Sequence, residues 1–136
     1  MVKIESTYEG QLRCSSTHGP SQSTLITDAP VDNHGRGSAF SPTDLLATAL
    51  LTCVMTTIAI VAERSEISVK GMRGSVGKSM TSAPPRRIAK LEIELHMPAS
   101  LSEENRTRLE AAAKGCPVHR SLHPDVEEVI AFVYDV

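Results

Sequence analysis

The sequence predicts an α+β fold with antiparallel strands, in a single domain spanning residues 1–136. Three observations carry this prediction. Strand-like segments stand on both sides of one long apolar helix, residues 87–98 alternate between apolar and polar, and two further helical segments precede a final strand. The order of strands, helix, strands, helices and strand fits antiparallel sheets better than a doubly wound parallel sheet. The length and the uniform composition favour one domain.

Composition narrows the class of protein. Hydrophobic residues make up 40% of the chain, with only two Phe and two Tyr, so the core is expected to be aliphatic. The net charge is −2 and the basic residues are scattered, which does not predict a nucleic-acid surface. The first residues, MVKIESTYEG, contain no apolar stretch typical of a secretory signal. A cytoplasmic protein with reduced cysteines is therefore expected.

Three short strands are predicted before the helix. Residues 2–9 alternate apolar and polar, and QLRCSST and STLITD form two further strand-like segments around a Gly-Pro turn. The segment DAPVDNHGRGSAFSP then predicts a loop of about fifteen residues, a length that in compact domains is often functional.

The long helix has a clear beginning. Ser41 is suited to the N-cap, Pro42 to the first helical position, and Asp44 to the positive end of the helix dipole. One broad stripe is apolar at helical spacing, comprising Leu46, Leu50, Cys53, Val54, Thr57, Ile58 and Val61.

The charge-free run from Leu45 to Ala62 is long enough to raise the question of a membrane span. Its four threonines reduce the hydrophobicity, and it lacks an aromatic belt and a cluster of basic residues at one end. The central helix of a soluble protein explains the same run, so no membrane association is predicted.

The rest of the chain predicts a hairpin, two helices and a strand. ISVKGMRGSVGKSM and RIAKLEIELHMP form the hairpin, with Leu91, Ile93, Leu95 and Met97 on its inner face. Ser102 is expected to cap a second helix that ends before Gly115. Cys116 and Pro117 begin a third, short helix, and EEVIAFVYDV is the final strand.

Residue chemistry alone favours Cys116 as the reactive thiol. At a helix N-terminus, free N–H groups and the dipole lower the pKa of a cysteine. Cys53 lies in mid-helix on an apolar face, where a lone cysteine is usually a small core residue. A metal site is the alternative, because Cys116, His119 and His123 are spaced by three and four residues. That set lacks a fourth ligand, so no metal or cofactor is predicted.

Two motifs in order resemble a known family. The segment SPTDLLATALLTC, followed later by CPVHRSLHPDV, resembles the OsmC/Ohr family of osmotically induced and organic hydroperoxide resistance proteins. The loop motif TDAPxDxHGxG and the Val-rich final strand are also similar. The resemblance covers nearly the whole chain and is strongest to the general OsmC-like branch.

This resemblance implies an assembly and an activity. The family forms intertwined homodimers in which β-sheets from both chains wrap around the two central helices, with the active sites at the subunit interface. Its characterised members are thiol-dependent peroxidases that reduce organic hydroperoxides. By resemblance, Cys53 is the peroxidatic cysteine, Cys116 is the resolving cysteine, and an external dithiol reduces their disulfide. The resemblance thus reverses the order of reactivity inferred from the residues alone.

A buried thiolate needs a nearby cation to offset its desolvation. In the hydroperoxide resistance branch an arginine does this, held by a glutamate just after the helix-opening proline. Here Thr43 occupies that position and the carboxylate is at Asp44. Arg36 and Arg13 are both candidates for the arginine, with Arg36 favoured because flexible glycines flank it.

A second function stays open, a non-catalytic binding protein for a small apolar ligand on the same dimeric scaffold. The absent glutamate at Thr43 favours it. Cys14 matches no position of the family pattern, and the sequence identifies neither the hydroperoxide nor the reductant.

Overall fold

The computed structural model describes all 136 residues and confirms the α+β fold class. The chain divides into two compact units, residues 1–46 and 47–136, which are described in turn. A single domain over the whole length remains a prediction. The strands and helices are β1 (Ile4–Gly10), β2 (Arg13–His18), β3 (Thr24–Asp28), α1 (Pro42–Arg64), β4 (Arg73–Met80), β5 (Ile88–Met97), α2 (Glu103–Ala113), α3 (Pro117–Ser121) and β6 (Glu127–Tyr134).

The first unit contains an antiparallel sheet in the order β1-β2-β3, which confirms the three predicted strands. The sheet is largely uncovered in the single chain. Ile4 and Tyr8 of β1 are 64% and 63% exposed, and Leu25 of β3 is also exposed. A small sheet in water needs an apolar face packed against another element. The sheet thus leaves an apolar face that the isolated chain does not bury.

The Arg13–Asp28 ion pair anchors the loop that follows β3. Asp28 is buried, and its two carboxylate oxygens accept hydrogen bonds from Nε and Nη2 of Arg13 at 2.7 and 2.8 Å. The same carboxylate accepts the backbone N–H of Ser38 at 3.1 Å. The guanidinium beside it lowers the pKa of Asp28 below its ordinary value, because it stabilises the charged form. The pair therefore ties the end of β3 to the far side of the loop.

The HGRG segment of this loop forms a tight turn. Gly35 donates its backbone N–H to the carbonyl of Pro30 at 2.9 Å. A Cβ atom at Gly35 would lie only 1.7 Å from the carbonyl oxygen of Ala29, so the backbone approach requires glycine. Arg36 follows directly and is exposed. The loop is thus closed by backbone contacts, with the Arg36 side chain facing solvent.

Helix α1 begins at Ser41, the predicted N-cap, which forms a reciprocal cap with Asp44. The Asp44 N–H donates to Oγ of Ser41 at 3.1 Å, and the Ser41 N–H donates to Oδ2 of Asp44 at 2.8 Å. Pro42 occupies the first helical position, where it lacks only an N–H that would have no helical partner. This arrangement is a capping box with aspartate in the acidic position.

Within the second unit, one face of α1 packs into the core and the opposite face does not. The buried positions recur every three or four residues and are Ala47, Leu50, Val54, Ile58 and Ala62. The predicted stripe is confirmed at Leu50, Val54 and Ile58, whereas Leu46 is 36% exposed. The exposed face is uncharged and comprises Ala49, Thr52, Thr56 and Ile60. The single chain therefore leaves this face of α1 uncovered.

By length and composition alone, α1 could cross a membrane, and the central helix of a soluble protein satisfies the same test. Only 28% of its most apolar window is buried in the single chain. The helix therefore presents more apolar surface than one chain covers.

The second sheet has the order β4-β5-β6 and corrects the expectation of purely antiparallel strands. Strands β4 and β5 form the predicted antiparallel hairpin, although β4 begins only at Arg73. Strand β6 runs parallel to β5, with Ile93 opposite Ile130. The reason is the connection through α2 and α3, since a crossover of this kind returns the next strand in the same direction. The sheet is therefore mixed.

The core lies between this sheet and the helices. The four predicted inner residues of β5, Leu91, Ile93, Leu95 and Met97, are all at most 2% exposed. Leu109 and Ala113 of α2 are buried in the same cluster. Ser102 caps α2 as predicted, accepting the N–H of Asn105 at 3.3 Å. Cys116 occupies the N-cap of α3 with Pro117 at its first position, also as predicted.

The close packing of α1 on β4 predicts the effect of Gly74→Ala. A Cβ at Gly74 would lie 2.7 Å from Cδ2 of Leu95 and 3.0 Å from Cδ1 of Leu51, inside a packed core. We expect the free energy of unfolding to fall by about 1–3 kcal/mol, the usual cost of overpacking. Gly77→Ala is the matched control in the same strand, because its Cβ would have no neighbour closer than 3.9 Å. Urea unfolding measures both, and equal stability of the two variants would contradict the packing argument.

The Arg13–Asp28 pair predicts a pH dependence of stability. Because the folded state lowers the pKa of Asp28 from its ordinary value of 3.8, the pair stabilises the fold above that value. This stabilisation is lost as the pH falls through the lower pKa of the folded state. We expect Asp28→Asn to lower the melting temperature at pH 7 by several degrees. Below about pH 4, the melting temperature of this variant should decrease less with falling pH than that of the wild type.

The control for this measurement is Glu5→Gln. Glu5 pairs with Lys3 at 2.6 Å, but both side chains are largely exposed, so the pair contributes little. Thermal melting followed by circular dichroism between pH 7 and pH 3 compares the variants. An Asp28→Asn profile that matches wild type would show that the pair does not anchor the fold.

Candidate active site

Two cysteines from different elements meet within the second unit. Cys53 lies in the middle of α1 and Cys116 at the N-cap of α3, both belong to the same core cluster, and Cys53 is near enough to raise the pKa of the Cys116 thiol. Cys116 is fully buried, whereas Cys53 is partly exposed. Both are free thiols. The fold thus brings a partly exposed cysteine and a fully buried one into the same cluster.

The turn between α2 and α3 approaches α1 closely beside Cys53. Thr57, one helical turn after Cys53, donates its hydroxyl to the Cys53 carbonyl at 2.8 Å. Its methyl group lies 4.0 Å from where a Cβ at Gly115 would stand. Such a Cβ would also be 3.2 Å from the Ala112 carbonyl oxygen, so glycine suits this turn. The following residue, Cys116, is fully buried in the core cluster.

The electrostatics of Cys116 differ from the sequence-based expectation. Burial raises the pKa of its thiol, and the contact with Cys53 raises it further. The backbone N–H groups of His119 and Val118 face the Cys116 sulfur and act in the opposite direction, but they do not prevail. The predicted lowering at a helix N-terminus is therefore wrong, because desolvation outweighs the N–H groups. At neutral pH Cys116 is a protonated thiol that can donate to the Cys53 sulfur.

A histidine–carboxylate pair lies beside this turn. Nδ1 of His119 is 2.8 Å from Oε2 of Glu128, whose side chain is only 13% exposed. Both line a pocket of about 600 Å³ between α2, α3 and β6. Sequence reasoning did not identify this pair. The sequence feature that could have indicated Glu128 is the two-residue alternation along β6, which places it on the same inner face as Ile130 and Phe132.

The remaining predicted site residues lie in the first unit. The guanidinium of Arg13 is engaged by Asp28, and Asp44 takes part in the α1 cap. Arg36 is exposed in its loop and attracts Asp28 electrostatically without a hydrogen bond. Cys14 is partly buried on β2, paired with Tyr8 on one side and Thr27 on the other.

The alternative metal set does not assemble. Helix α3 ends at Ser121, so His123 does not continue the helical face that carries Cys116 and His119. Nδ1 of His123 instead accepts the backbone N–H of Asp125 at 3.2 Å. Across the chain, no group of three His, Cys, Asp or Glu side chains is arranged to hold a metal ion.

Comparisons with known proteins agree with this architecture. A family model described as OsmC-like protein matches residues 35–129. A crystal structure from Psychrobacter arcticus 273-4, of a candidate osmotic stress induced and detoxification response protein, is 41% identical with a TM-score of 0.91. The alignment covers 98% of this chain and 96% of that one. The comparison with curated proteins found no match.

More distant structures share the fold alone. An organic hydroperoxide resistance protein OsmC from Legionella pneumophila is 21% identical with a TM-score of 0.74, over 97% of this chain and 96% of that chain. An organic hydroperoxide resistance protein from Elizabethkingia anophelis is 13% identical with a TM-score of 0.80, over 99% and 96%. The match of the family model over more than half of the chain, together with the close relative, establishes that this chain belongs to the OsmC-like family.

Proposed function

We propose that the protein is a thiol-dependent peroxidase that reduces organic hydroperoxides through Cys53 and Cys116. The packing of both cysteines in one core cluster, from elements far apart in the chain, is the observation that carries the proposal. Membership of the OsmC-like family supports it. Two proteins of the same fold are themselves organic hydroperoxide resistance proteins.

In the first step, the Cys53 thiolate attacks the terminal oxygen of the hydroperoxide. The O–O bond breaks, Cys53 becomes a sulfenic acid, and the alkoxide takes a proton and leaves as the alcohol. Partial exposure makes Cys53 the accessible sulfur, whereas Cys116 is fully buried. The neighbouring turns of α1 carry Ala49, Thr52 and Thr56, which are uncharged. Such surroundings favour alkyl hydroperoxides over hydrogen peroxide.

In the second step, Cys116 resolves the sulfenic acid. Its sulfur attacks the Cys53 sulfur, a disulfide forms, and water leaves. Because burial raises the pKa of Cys116, this thiol stays protonated and unreactive toward peroxide until Cys53 is oxidised. An external dithiol then reduces the disulfide and completes the cycle.

An arginine is proposed to offset the negative charge on Cys53, and Arg36 is the better candidate. Arg13 already gives two guanidinium donors to Asp28 in a buried pair, whereas Arg36 makes no such bond. Asp44 is proposed to help orient the arginine in addition to capping α1. Thr43 stands at the position of the family glutamate. Its hydroxyl oxygen is hydrogen-bonded to that of Ser41, and the two oxygens are 3.1 Å apart.

A cytoplasmic homodimer is the proposed working form, since proteins of this family are generally homodimeric. The exposed uncharged face of α1 and the uncovered first sheet support this proposal, because monomeric proteins rarely leave such large apolar surface exposed. A second copy of the chain is the occupant that the family membership favours.

A non-catalytic binding protein for a small apolar ligand is the second candidate. The pocket beside α2 favours it, because Ala111, Ile130 and Phe132 contribute an apolar lining. In a carrier, the two cysteines would pack without reacting. The response of the thiols to peroxide therefore separates the two functions.

The two-cysteine mechanism predicts how the three thiols respond to one equivalent of cumene hydroperoxide. We expect two thiols to disappear and a peptide map to show Cys53 joined to Cys116. Cys53→Ser should lower the rate of peroxide consumption by at least about a hundredfold, since the attacking sulfur is removed. Cys116→Ser should still form a sulfenic acid, which a dimedone probe would trap.

Cys14→Ser is the matched control, because Cys14 is also a partly exposed free thiol but lies on β2. It should retain wild-type turnover. Three free thiols after peroxide treatment of the wild type would refute the peroxidase proposal and favour the ligand-binding alternative.

The proposed dimer predicts the effect of a charge in the middle of the exposed face of α1. Thr52→Arg should convert the dimer to monomer in analytical ultracentrifugation, because an unpaired charge would be buried at the interface. Ser100→Arg, in an exposed turn, is the control and should leave the dimer intact. A wild-type protein that sediments as a monomer would exclude this assembly.

A further inference from the structure

The pocket beside α2 is separate from the two thiols. It has a volume of about 600 Å³ and lies between α2, α3 and β6, within the second unit. Neither Cys53 nor Cys116 lines it. A cavity of a few hundred Å³ with an apolar lining and a few polar groups is typical of a site for a small molecule. The side chains of this pocket therefore indicate which kind of molecule it fits.

One part of the lining is apolar. Ile130 and Phe132 alternate along β6 and are only partly buried against the core, and Ala113 of α2 also lines the pocket. A ligand with an apolar group would cover the surface that the core leaves open and gain the free energy of removing it from water. An aromatic ring such as that of Phe132 also suits a cation, because the face of its π-system is partly negative.

Two carboxylates line the same pocket. Oε2 of Glu128 accepts a hydrogen bond from Nδ1 of His119 at 2.8 Å, and Oε1 of Glu110 accepts one from the Tyr134 hydroxyl at 2.6 Å. Each donor occupies one oxygen of its carboxylate, and a carboxylate can accept from several donors. The two side chains are thus held by neighbouring elements while the second oxygen of each can accept from a further donor.

The charges of the lining are unequal. Burial and the hydrogen bond to Glu110 raise the pKa of Tyr134, so its hydroxyl remains a neutral donor. Lys114 is the only lysine or arginine that lines the pocket, and it is exposed at the end of α2. A bound anion would face two carboxylates and one exposed ammonium, whereas a bound cation would be attracted by both carboxylates. The lining therefore favours a cation.

We propose that this pocket binds a small organic ammonium ion, with its charged group at Glu110 and Glu128 and its apolar part over the side chains of β6. The carboxylates would supply charge-assisted hydrogen bonds, and the strand would supply apolar surface. The site builds on the second candidate function, the binding of a small molecule, and needs no reaction at either cysteine.

Three probes that share a phenyl group and differ in charge test this preference: phenylpropylammonium, phenylpropanol and phenylpropionate. NMR titration of the wild-type protein at about pH 8, where histidine side chains are ordinarily neutral, gives a dissociation constant for each. We expect the ammonium ion to bind about tenfold more tightly than the neutral alcohol, the usual gain for a hydrogen bond to a charged group. The carboxylate should bind most weakly.

Substitution of the two carboxylates tests where the charged group lies. Glu128→Gln and Glu110→Gln should each weaken binding of the ammonium probe about tenfold, because a neutral amide replaces a charged acceptor. Glu127→Gln is the matched control, since Glu127 is the neighbouring carboxylate on β6 but is exposed and lies outside the pocket. It should change the dissociation constant by less than about twofold.

Lys114→Gln has effects of opposite sign on the two kinds of ligand. Removal of this cation should tighten the binding of the ammonium probe by up to about twofold, whereas it would weaken the binding of an anion. Because Lys114 is exposed, this variant should keep the fold. Thermal melting of every variant separates a loss of binding from a loss of folding.

Equal affinity for all three probes would overturn the proposal, because only the apolar surface would then bind. A preference for phenylpropionate that Lys114→Gln removes would overturn it as well, and so would no binding of the ammonium probe at about 10 mM. A protein that binds the ammonium ion but consumes no hydroperoxide would support the site and refute the peroxidase. A protein that consumes hydroperoxide but binds none of the probes would support the peroxidase and refute the site.

Discussion

The burial of the Cys116 thiol against Cys53 is the contact on which the rest of the second unit depends. Cys116 has no solvent exposure, and the turn at Gly115 that precedes it lies beside Thr57 of α1. The same burial keeps Cys116 protonated and shields it from oxidants in solution. Desolvation thereby divides the work between two chemically identical side chains. In the proposed mechanism, the partly exposed Cys53 meets the substrate and the buried Cys116 reacts only with its neighbour.

Much of the fold follows from local sequence. The cap at Ser41, the alternation through Leu91 to Met97, and the Cys116–Pro117 start of α3 each have a mechanism that acts within a few residues, and all three are confirmed. The parallel pairing of β6 could not be predicted in this way. A strand pattern contains no information about the direction of its neighbour, which depends on the length and path of the crossover. The exposure of Leu46 has a similar origin, since helical spacing does not say how wide the covered face is.

The candidate site was less predictable than the fold. Proximity of Cys53 and Cys116 followed from the family resemblance and not from spacing, because they lie on elements far apart in the chain. The direction of the pKa shift of Cys116 was missed, because the sequence shows a helix start but not how deeply the sulfur is buried. The His119–Glu128 contact was missed because it joins a helix to a strand whose register is fixed only by tertiary pairing.

The parallel pairing of β6 has a consequence for how the thiol pair comes into being. Residues 98–126 form a closed crossover, held at one end by β5 and at the other by β6. The far end of this crossover is fixed only when residues 127–134 have joined the sheet, and Glu128 is among them. During synthesis, Cys53 therefore emerges well before the segment that secures its partner is complete. We therefore expect the two sulfurs to come together only after β6 has joined the sheet.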